Sequence, residues 1–217
     1  MIETSLNKNA LALYVTNQLN CIFPDDSKVH ISIIENVISK VFNRIDFCFS
    51  KINNKYFFDG SVTKFNHLHG DQYSMFLYYL SNTMYQNGID IKYCNKVYLL
   101  NKLLHGIDAF YEVELPDIFM FIHPIGTILG RADYSDYFLV YQRCGIGSNH
   151  NIYPKLGEYL TLHPGSAILG NCKVGNFCSI AAESLVIDEN INDGILYIGN
   201  PKQSYKYEKK EISEFWR

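Results

Sequence analysis

The C-terminal half of the chain repeats an aliphatic residue every six positions, a spacing that few folds accommodate. The repeated positions are Ile122, Ile128, Tyr134, Val140 and Ile146 and then, after one step of ten residues, Leu156, Leu162, Ile168, Val174, Ile180 and Val186. An α-helix repeats every 3.6 residues and a β-strand every 2, so neither explains this period. A coil of short strands joined by tight turns explains it, with each aliphatic residue in the interior.

A second series of small residues lies four positions after the first. It consists of Gly126, Ala132, Cys144, Ser166, Cys172, Cys178 and Ser184, with Phe138 as the exception. Small side chains let such a coil turn its corners, so these three cysteines are expected to pack and not to react. The long step between Ile146 and Leu156 predicts that residues 147–155 leave the coil as a loop.

The N-terminal half lacks this period and has helical patterns instead. Residues 29–49 and 71–86 space their apolar side chains at three and four, as amphipathic helices do, and Asn87-Gly88 is a natural stop for the second. Residues 92–110 predict a further helix that leads into the repeat. Residues 55–65 belong either to this helical region or to a short hairpin around Asp59-Gly60.

The expected domains follow from these patterns. Residues 1–110 form a mainly helical domain, residues 111–203 the repeat domain and residues 204–217 a tail. The polar stretch 206–217, with mixed charge, predicts a short exposed helix within that tail. The fold class is therefore expected to be α+β, with the helices before the coil.

Composition narrows the classes of function. The chain has 217 residues, 47% of them hydrophobic and 19% charged, which is typical of a globular protein. A net charge of −3 argues against a nucleic-acid partner. No apolar run reaches the ~18 residues of a membrane span, and no signal peptide is evident, so we expect a cytoplasmic protein. The six cysteines form no CxxC pair and no zinc-type cluster with histidine, and no metal site is predicted.

The six-residue period resembles that of the hexapeptide-repeat proteins, whose fold is a left-handed parallel β-helix with three hexads per turn. The resemblance covers residues 112–202 and implies a coil of about three to four turns. A helical domain followed by such a coil is also the layout of the serine acetyltransferase branch of the acyltransferases.

Short segments resemble the motifs of that branch in order. Residues 113–116 (VELP) are similar to V-D-[IL]-H-P, with glutamate for aspartate, and residues 123–126 (HPIG) are similar to the catalytic D-H-A-T-G. Further along, residues 153–157 (YPKLG) resemble H-P-K-[IL], residues 168–175 contain ILGN and VG, and residues 199–202 (GNPK) resemble G-x-P-A-K.

The resemblance implies transfer of an acetyl group from acetyl-CoA to an alcohol. A neutral imidazole accepts the hydroxyl proton, and a base of this kind contributes about 10² to 10⁴ in rate. His123 is the predicted base, and Glu114 is the carboxylate predicted to orient it, with Asp117 as the reserve. His150, in the predicted loop, is the rival base.

The co-substrate site is also implied by the resemblance. In the family, the pantetheine of CoA lies along the coil edge at small residues. The matching positions are Gly165, Ser166, Ala181 and Ala182, with Lys202 near the nucleotide phosphates. His163 is expected to be structural or near the CoA, and His67 and His69 form a pair that lacks a third metal ligand.

The acceptor is expected to differ from serine. In the family an aspartate before the catalytic histidine and an Arg-His pair hold the amino acid, but Ile122, Ile152 and Tyr153 stand at these positions. A zwitterion away from bulk water needs charged partners. Tyr153 and its aromatic-rich surround suit a sugar ring better, and relatives of this kind often modify sugars of surface polysaccharides. The resemblance therefore implies a hydroxyl of a sugar or surface polysaccharide, of the capsule or O-antigen type, with Asp71, His150 and Tyr153 binding it.

Three other functions remain open at this point. The chain is alternatively a serine O-acetyltransferase, an N-acetyltransferase for amino sugars, or a non-catalytic trimeric scaffold. Hexapeptide-repeat enzymes assemble as trimers with acyl-donor sites between neighbouring coils. We accordingly expect a homotrimer or a dimer of trimers.

Overall fold

The computed structural model describes residues 2–209 and 213–217. The chain forms two compact units. The helical unit comprises the residues up to His105 together with Phe110–Glu112, and the coil unit comprises Gly106–Ala109 and Val113–Arg217. No helix in the described ranges is long and apolar enough to cross a membrane.

The helical unit contains four helices and one small parallel sheet. The helices are α1 (Lys8–Ile22), α2 (Ile31–Phe49), α3 (Gly70–Gln86) and α4 (Ile91–His105), and the sheet pairs β1 (Ile2–Thr4) with β2 (Thr63–Phe65). The helices expected over 29–49 and 71–86 are confirmed as α2 and α3. Sequence reasoning had not singled out α1, whose first turn is capped by the Asn7 side chain accepting from the Ala10 amide.

Helix ends follow local chemistry. Helix α3 stops at Asn87, and Gly88 has a φ of +70°, the left-handed geometry that glycine provides after a helix. Helix α4 ends at His105, and Gly106 has a φ of +63°. The helix predicted over 92–110 is therefore five residues too long, and Asp108–Ala109 form a strand of the coil instead.

The hairpin alternative for residues 55–65 is confirmed. Phe58 pairs antiparallel with Thr63, and the Asp59 side chain accepts from the amides of Ser61 and Val62 at 3.0 Å. This aspartate turn is a local device that competes with helix formation.

Helix α3 is the centre of the helical unit. Every residue from Gln72 to Met84 is buried, so this helix lacks a solvent face. Large aromatic side chains fill this core, among them Phe76, Tyr78 and Tyr79 of α3 itself and Phe42 of α2.

The coil unit has three faces of parallel strands. Face 1 contains β3 (Asp108–Ala109), β5 (Ile128–Leu129), β7 (Gly145–Gly147), β10 (Ala167–Leu169) and β13 (Leu185–Ile187). Face 2 contains β4 (Phe119–Phe121), β6 (Phe138–Val140), β9 (Thr161–Leu162), β12 (Ser179–Ile180) and β14 (Ile195–Asn200), and face 3 contains β8 (Lys155–Leu156) and β11 (Lys173–Val174). The expected parallel β-helix is confirmed.

The coil has about five turns, because faces 1 and 2 each stack five parallel strands. The expected three to four turns were too few. The hexad count ran from Ile122 to Val186 and therefore missed β3 before it and β14 after it.

Apolar columns fill the interior, at the predicted positions from Val140 onwards. On face 1, Leu129, Ile146, Ile168 and Val186 stand in register, and on face 2 Phe121, Val140, Leu162 and Ile180 do the same. All eight are at most 2% exposed. Cys144, Cys172 and Cys178 are buried, which confirms their packing role.

The first two predicted interior positions are wrong by one residue. Val140 pairs with Phe121 and not with Ile122, and Ile146 pairs with Leu129 and not with Ile128. Ile128 is 56% exposed, whereas Leu129 is 1% exposed. The cause is an irregular corner between β4 and β5.

The tail begins as a strand. β15 (Gln203–Glu208) pairs antiparallel with β14, and residues 213–217 contain a turn, so the helix predicted over 206–217 is wrong for all of its described residues. Residues 210–212 of that prediction lie outside the described residues. Beyond them, Trp216 is buried with its ring edge-on to Tyr137, 5.5 Å between centroids.

Candidate active site

His123 lies on the irregular corner between face 2 and face 1. The interior columns are eight residues apart there, from Phe121 to Leu129, but six apart from Val140 to Ile146 on the next turn. The two additional residues form a protrusion in which His123 is exposed and has a φ of +48°. A left-handed non-glycine residue is uncommon, although histidine is enriched in that region.

The regular part of this corner forms a ladder of left-handed residues. Gly106, Gly126, Arg143, Gly165 and Glu183 have φ between +57° and +77°. Hydrogen bonds link one turn to the next, as where the Gly126 amide donates to the Gly106 carbonyl at 2.9 Å. His123 lies outside this ladder, on the protrusion beside it.

An ion pair lies over the predicted CoA edge. The Arg143 guanidinium contacts the Glu183 carboxylate at 2.5 Å, and both side chains are exposed. A Cβ atom on Gly165 would lie 2.5 Å from that carboxylate, so the side chain of Glu183 rests directly on the glycine. A larger residue at position 165 would have to displace this flexible side chain, and the φ of +74° already favours glycine there.

The other predicted CoA positions differ in accessibility. Ala181 and Ala182 lie at the same corner as Gly165, one turn further along, and Ala182 is exposed. Ser166 is fully buried, with its hydroxyl 3.8 Å from the Cys144 sulfur, so its side chain belongs to the coil interior. Lys202 is exposed in the turn that joins β14 to β15.

Both candidate carboxylates precede β4, the strand that leads to His123. Glu114 and Asp117 are exposed, on either side of the buried Leu115. Asp71, predicted to bind the acceptor, belongs to the helical unit. It lies in the first turn of α3, where the helix dipole favours a carboxylate.

The predicted loop between β7 and β8 is a tight hairpin. Asn149 and Ile152 exchange backbone hydrogen bonds of 3.1 and 2.9 Å across the turn residues His150 and Asn151. The two turn residues have φ of +49° and +61°, which is the type I′ geometry. We call residues 148–154 the His150 hairpin. His150, Ile152 and Tyr153 are exposed on it.

Face 2 has a pocket that the sequence did not reveal. Tyr141 and His163 stack with centroids 5.7 Å apart, and they line a pocket of about 640 Å³ with Thr161 and Lys209. Burial, with a contribution from the charge of Lys209, lowers the pKa of His163. Tyr141 and His163 are 22 residues apart in the sequence, which equals one turn of the coil plus the four additional residues of the hairpin. This spacing could have predicted that the two rings stack.

The histidine pair noted as metal-like has structural partners. His67 Nδ1 is hydrogen-bonded to the Ser5 hydroxyl at 2.8 Å, and His69 caps α3 by accepting from the Gln72 amide. Within residues 2–209 and 213–217, no group of three or more metal-type side chains is found.

The similar proteins found by sequence and by structure are serine acetyltransferases. No protein-family model matches the chain. A serine acetyltransferase from Synechococcus elongatus is 27% identical over 99 residues, which cover 43% of this chain and 41% of that relative. The match therefore spans well under half the length of the relative.

Solved structures match over nearly the whole chain. A serine acetyltransferase in complex with cysteine has a TM-score of 0.73 at 17% identity, covering 97% of this chain and 84% of its own. The chain has the serine acetyltransferase fold. The enzyme from Neisseria gonorrhoeae (TM-score 0.71, 14% identity) covers 94% of this chain and 80% of its own. A complex with CoA (TM-score 0.71, 17% identity) covers 93% and 86%. The expected α+β class, with a left-handed parallel β-helix after the helices, is confirmed.

Proposed function

We propose that this chain is an acetyl-CoA-dependent O-acetyltransferase with serine as its acceptor. The observation that carries the proposal is the serine acetyltransferase fold, matched over 97% of the chain, with His123 exposed on the irregular corner. The similar structures include one solved with CoA and one solved with cysteine, an amino acid close to serine in size and charge.

The proposed reaction needs one proton acceptor. His123 takes the proton of the acceptor hydroxyl while that oxygen attacks the carbonyl carbon of the thioester. The carbon–sulfur bond then breaks, and the CoA sulfur leaves with the electron pair and takes the proton back from the imidazolium. Glu114, or Asp117 in its place, orients the imidazole and stabilises its charged form.

The donor is proposed to lie along the corner that carries Gly165, Ala181 and Ala182. Ala181 and Ala182 carry small side chains beside the coil backbone. Gly165 lies under the Glu183 carboxylate, so the Arg143–Glu183 pair moves aside when a pantetheine arm binds there. Ser166 contributes only its backbone, since its side chain is buried. Lys202, exposed at the last turn of the coil, is available to the phosphates. The chemistry that acetyl-CoA supplies is an activated acetyl group.

A sugar hydroxyl is the second candidate acceptor. Ile122, Ile152 and Tyr153 replace the charged residues that hold serine in the family, and the last two are 48% and 40% exposed on the His150 hairpin. An exposed tyrosine and an apolar neighbour suit a sugar ring. His150 and Tyr153, both on the hairpin, are the proposed acceptor-binding residues for either substrate.

The acceptor is decided by competition. The chain is given acetyl-CoA with equal concentrations of serine, neutral sugars, amino sugars and capsule-type oligosaccharides, and the acetylated products are separated by mass. Serine as the preferred acceptor supports the proposal, and a preferred neutral sugar or amino sugar refutes it in favour of the second candidate or an N-acetyltransferase. A chain that acetylates none of these acceptors and shows no thermal shift with CoA is a scaffold.

We also propose a homotrimer or a dimer of trimers in the cytoplasm. The flat faces and the sheet-like flank of such a coil are not covered by one chain. Association with further copies covers them. The cytoplasmic location is supported by the six cysteines, all described, which form no disulfide with one another. Light scattering at micromolar concentration tests the assembly, and a monomer would refute it.

A further inference from the structure

One carboxylate fastens the His150 hairpin to the coil. Asp188 lies at the corner that follows face 1, two turns further along the coil than Asn149. Its Oδ2 atom accepts a hydrogen bond from Asn149 Nδ2 at 2.6 Å, and its Oδ1 atom accepts from the Asn171 amide at 2.7 Å. Three successive turns of the coil therefore meet at this side chain.

Gly170 makes the contact possible. It occupies the turn between Asn149 and Asp188, with a φ of +80°. A Cβ atom at this position would lie 2.2 Å from Asp188 Oδ1 and 2.6 Å from Asn149 Cβ. The two side chains thus meet across space that only a glycine leaves open.

Because the hairpin turn is short, fixing Asn149 also restricts the position of His150. His150 directly follows Asn149, and the two backbone hydrogen bonds between Asn149 and Ile152 leave only two residues in the turn. The pKa of Asp188 lies below its ordinary value, because of the hydrogen bonds from Asn171 and Asn149 and the nearby charge of His150. The imidazole therefore lies within electrostatic reach of the carboxylate.

We propose that Asp188 is a positioning residue, which clamps Asn149 and thereby holds His150 in place for the acceptor. The clamp itself depends only on the geometry of the coil. The role of His150 toward the acceptor rests on the proposed function, in which His150 contacts that substrate.

A donor–acceptor exchange tests the clamp. In Asp188→Asn the Oδ1 atom still accepts from the Asn171 amide, but the charge-assisted hydrogen bond with Asn149 is lost. Two amide nitrogens do not bond, and an Asn149 amide that turns over offers only a weaker bond between neutral groups. Adding Asn149→Asp restores the hydrogen bond with donor and acceptor interchanged and keeps the charge of the pair. Asp193→Asn is the matched control, since Asp193 Oδ1 also accepts from a backbone amide, that of Asn176 at 2.8 Å, away from the hairpin.

Two measurements read the result. Amide hydrogen exchange of Asn149 and Ile152, in the protein without substrates, is expected to accelerate about tenfold in Asp188→Asn and to recover in the double variant. The KM for the acceptor is expected to rise about five- to tenfold and to recover likewise, with kcat and the KM for acetyl-CoA within about twofold of wild type. Asp193→Asn changes neither quantity.

Unchanged exchange in Asp188→Asn, or a double variant that behaves like the single one, overturns the clamp. Faster exchange with an unchanged acceptor KM overturns the positioning role. If the wild-type chain transfers acetyl to no acceptor, the proposed function fails, and the exchange rates then decide alone for or against the clamp.

Discussion

The two units of this chain bury their apolar residues in different ways, and the difference shows where chemistry can be placed. Helix α3 is buried on all sides in a core rich in aromatic rings, so its sequence has no regular spacing that separates interior from exposed residues. In the coil, a fixed period assigns each residue to the interior, a face or a corner. His123 and His150 lie where that period is broken, on the eight-residue corner and on the hairpin.

The largest effect is expected from His123→Ala, a substitution on the corner where the six-residue period is broken. It removes the proposed proton acceptor, so transfer is expected to fall by about 10² to 10⁴. Because the side chain is exposed, the melting temperature and the affinity for CoA are expected to change little. Steady-state kinetics, a thermal melt and a CoA titration provide the three readings.

His150→Ala is the matched control at the other break in the period. It is expected to raise the acceptor KM and to retain most of kcat. If it abolishes turnover while His123→Ala leaves turnover intact, the hairpin histidine is the base and the corner histidine is not.

The interior register is tested by two isoleucines of the same face. Ile146→Ala creates a cavity at a position that is 2% exposed and is expected to cost about 2 to 5 kcal/mol of unfolding free energy. Ile128→Ala, at a position 56% exposed, is expected to cost about 0.5 kcal/mol or less. Denaturant unfolding of both variants measures the difference, and equal costs would contradict the eight-residue corner.

Substitutions of Glu114 and Asp117 identify the carboxylate that orients His123. If Glu114 orients His123, Glu114→Gln is expected to lower kcat about 10- to 100-fold, the effect of losing a hydrogen bond to a charged group. Asp117→Asn then leaves kcat near that of wild type. The reverse order of effects would assign the role to Asp117.

The smallest expected effect is a pH dependence of stability from one histidine in each unit. Burial lowers the pKa of His105 in the helical unit and that of His163 in the coil. The unfolded chain then binds more protons than the folded one, so stability is full above the unfolded pKa of about 6.5 and falls as the pH drops below it.

Thermal melts at pH 7.5 and 5.5 measure this effect. A fall of a few degrees is expected for wild type, and a smaller fall for His105→Gln and for His163→Gln. A melting temperature that rises on acidification would contradict a lowered pKa of the two histidines.

The two units also differ in how well the sequence predicts their interior residues and the ends of their elements. The period located Val140, Ile146 and the later interior residues, because a strict repeat leaves one register. It misplaced Ile122 and Ile128, because two additional residues in a corner shift the register without changing composition. In the helical unit the pattern found α2 and α3 but extended α4 past His105, since nothing in the apolar spacing marks Gly106 as the stop.

The candidate site was only partly accessible from sequence. His123 and the hairpin were found by motif and by spacing, which are local signals. The clamp of Asp188 on Asn149 joins residues 39 positions apart, and the Tyr141–His163 stack joins residues one turn apart, so both appear only once the turns are stacked. The side-chain roles in acceptor binding stay predictions.

The central claim is that this chain moves an acetyl group from CoA to a hydroxyl. The most direct measurement is the release of the CoA thiol from acetyl-CoA by the purified wild-type chain, with and without serine. We predict a release that depends on serine, saturates with it and yields one equivalent of O-acetylated serine for each thiol. Release that is the same without an acceptor, or no release although CoA binds, would contradict the account.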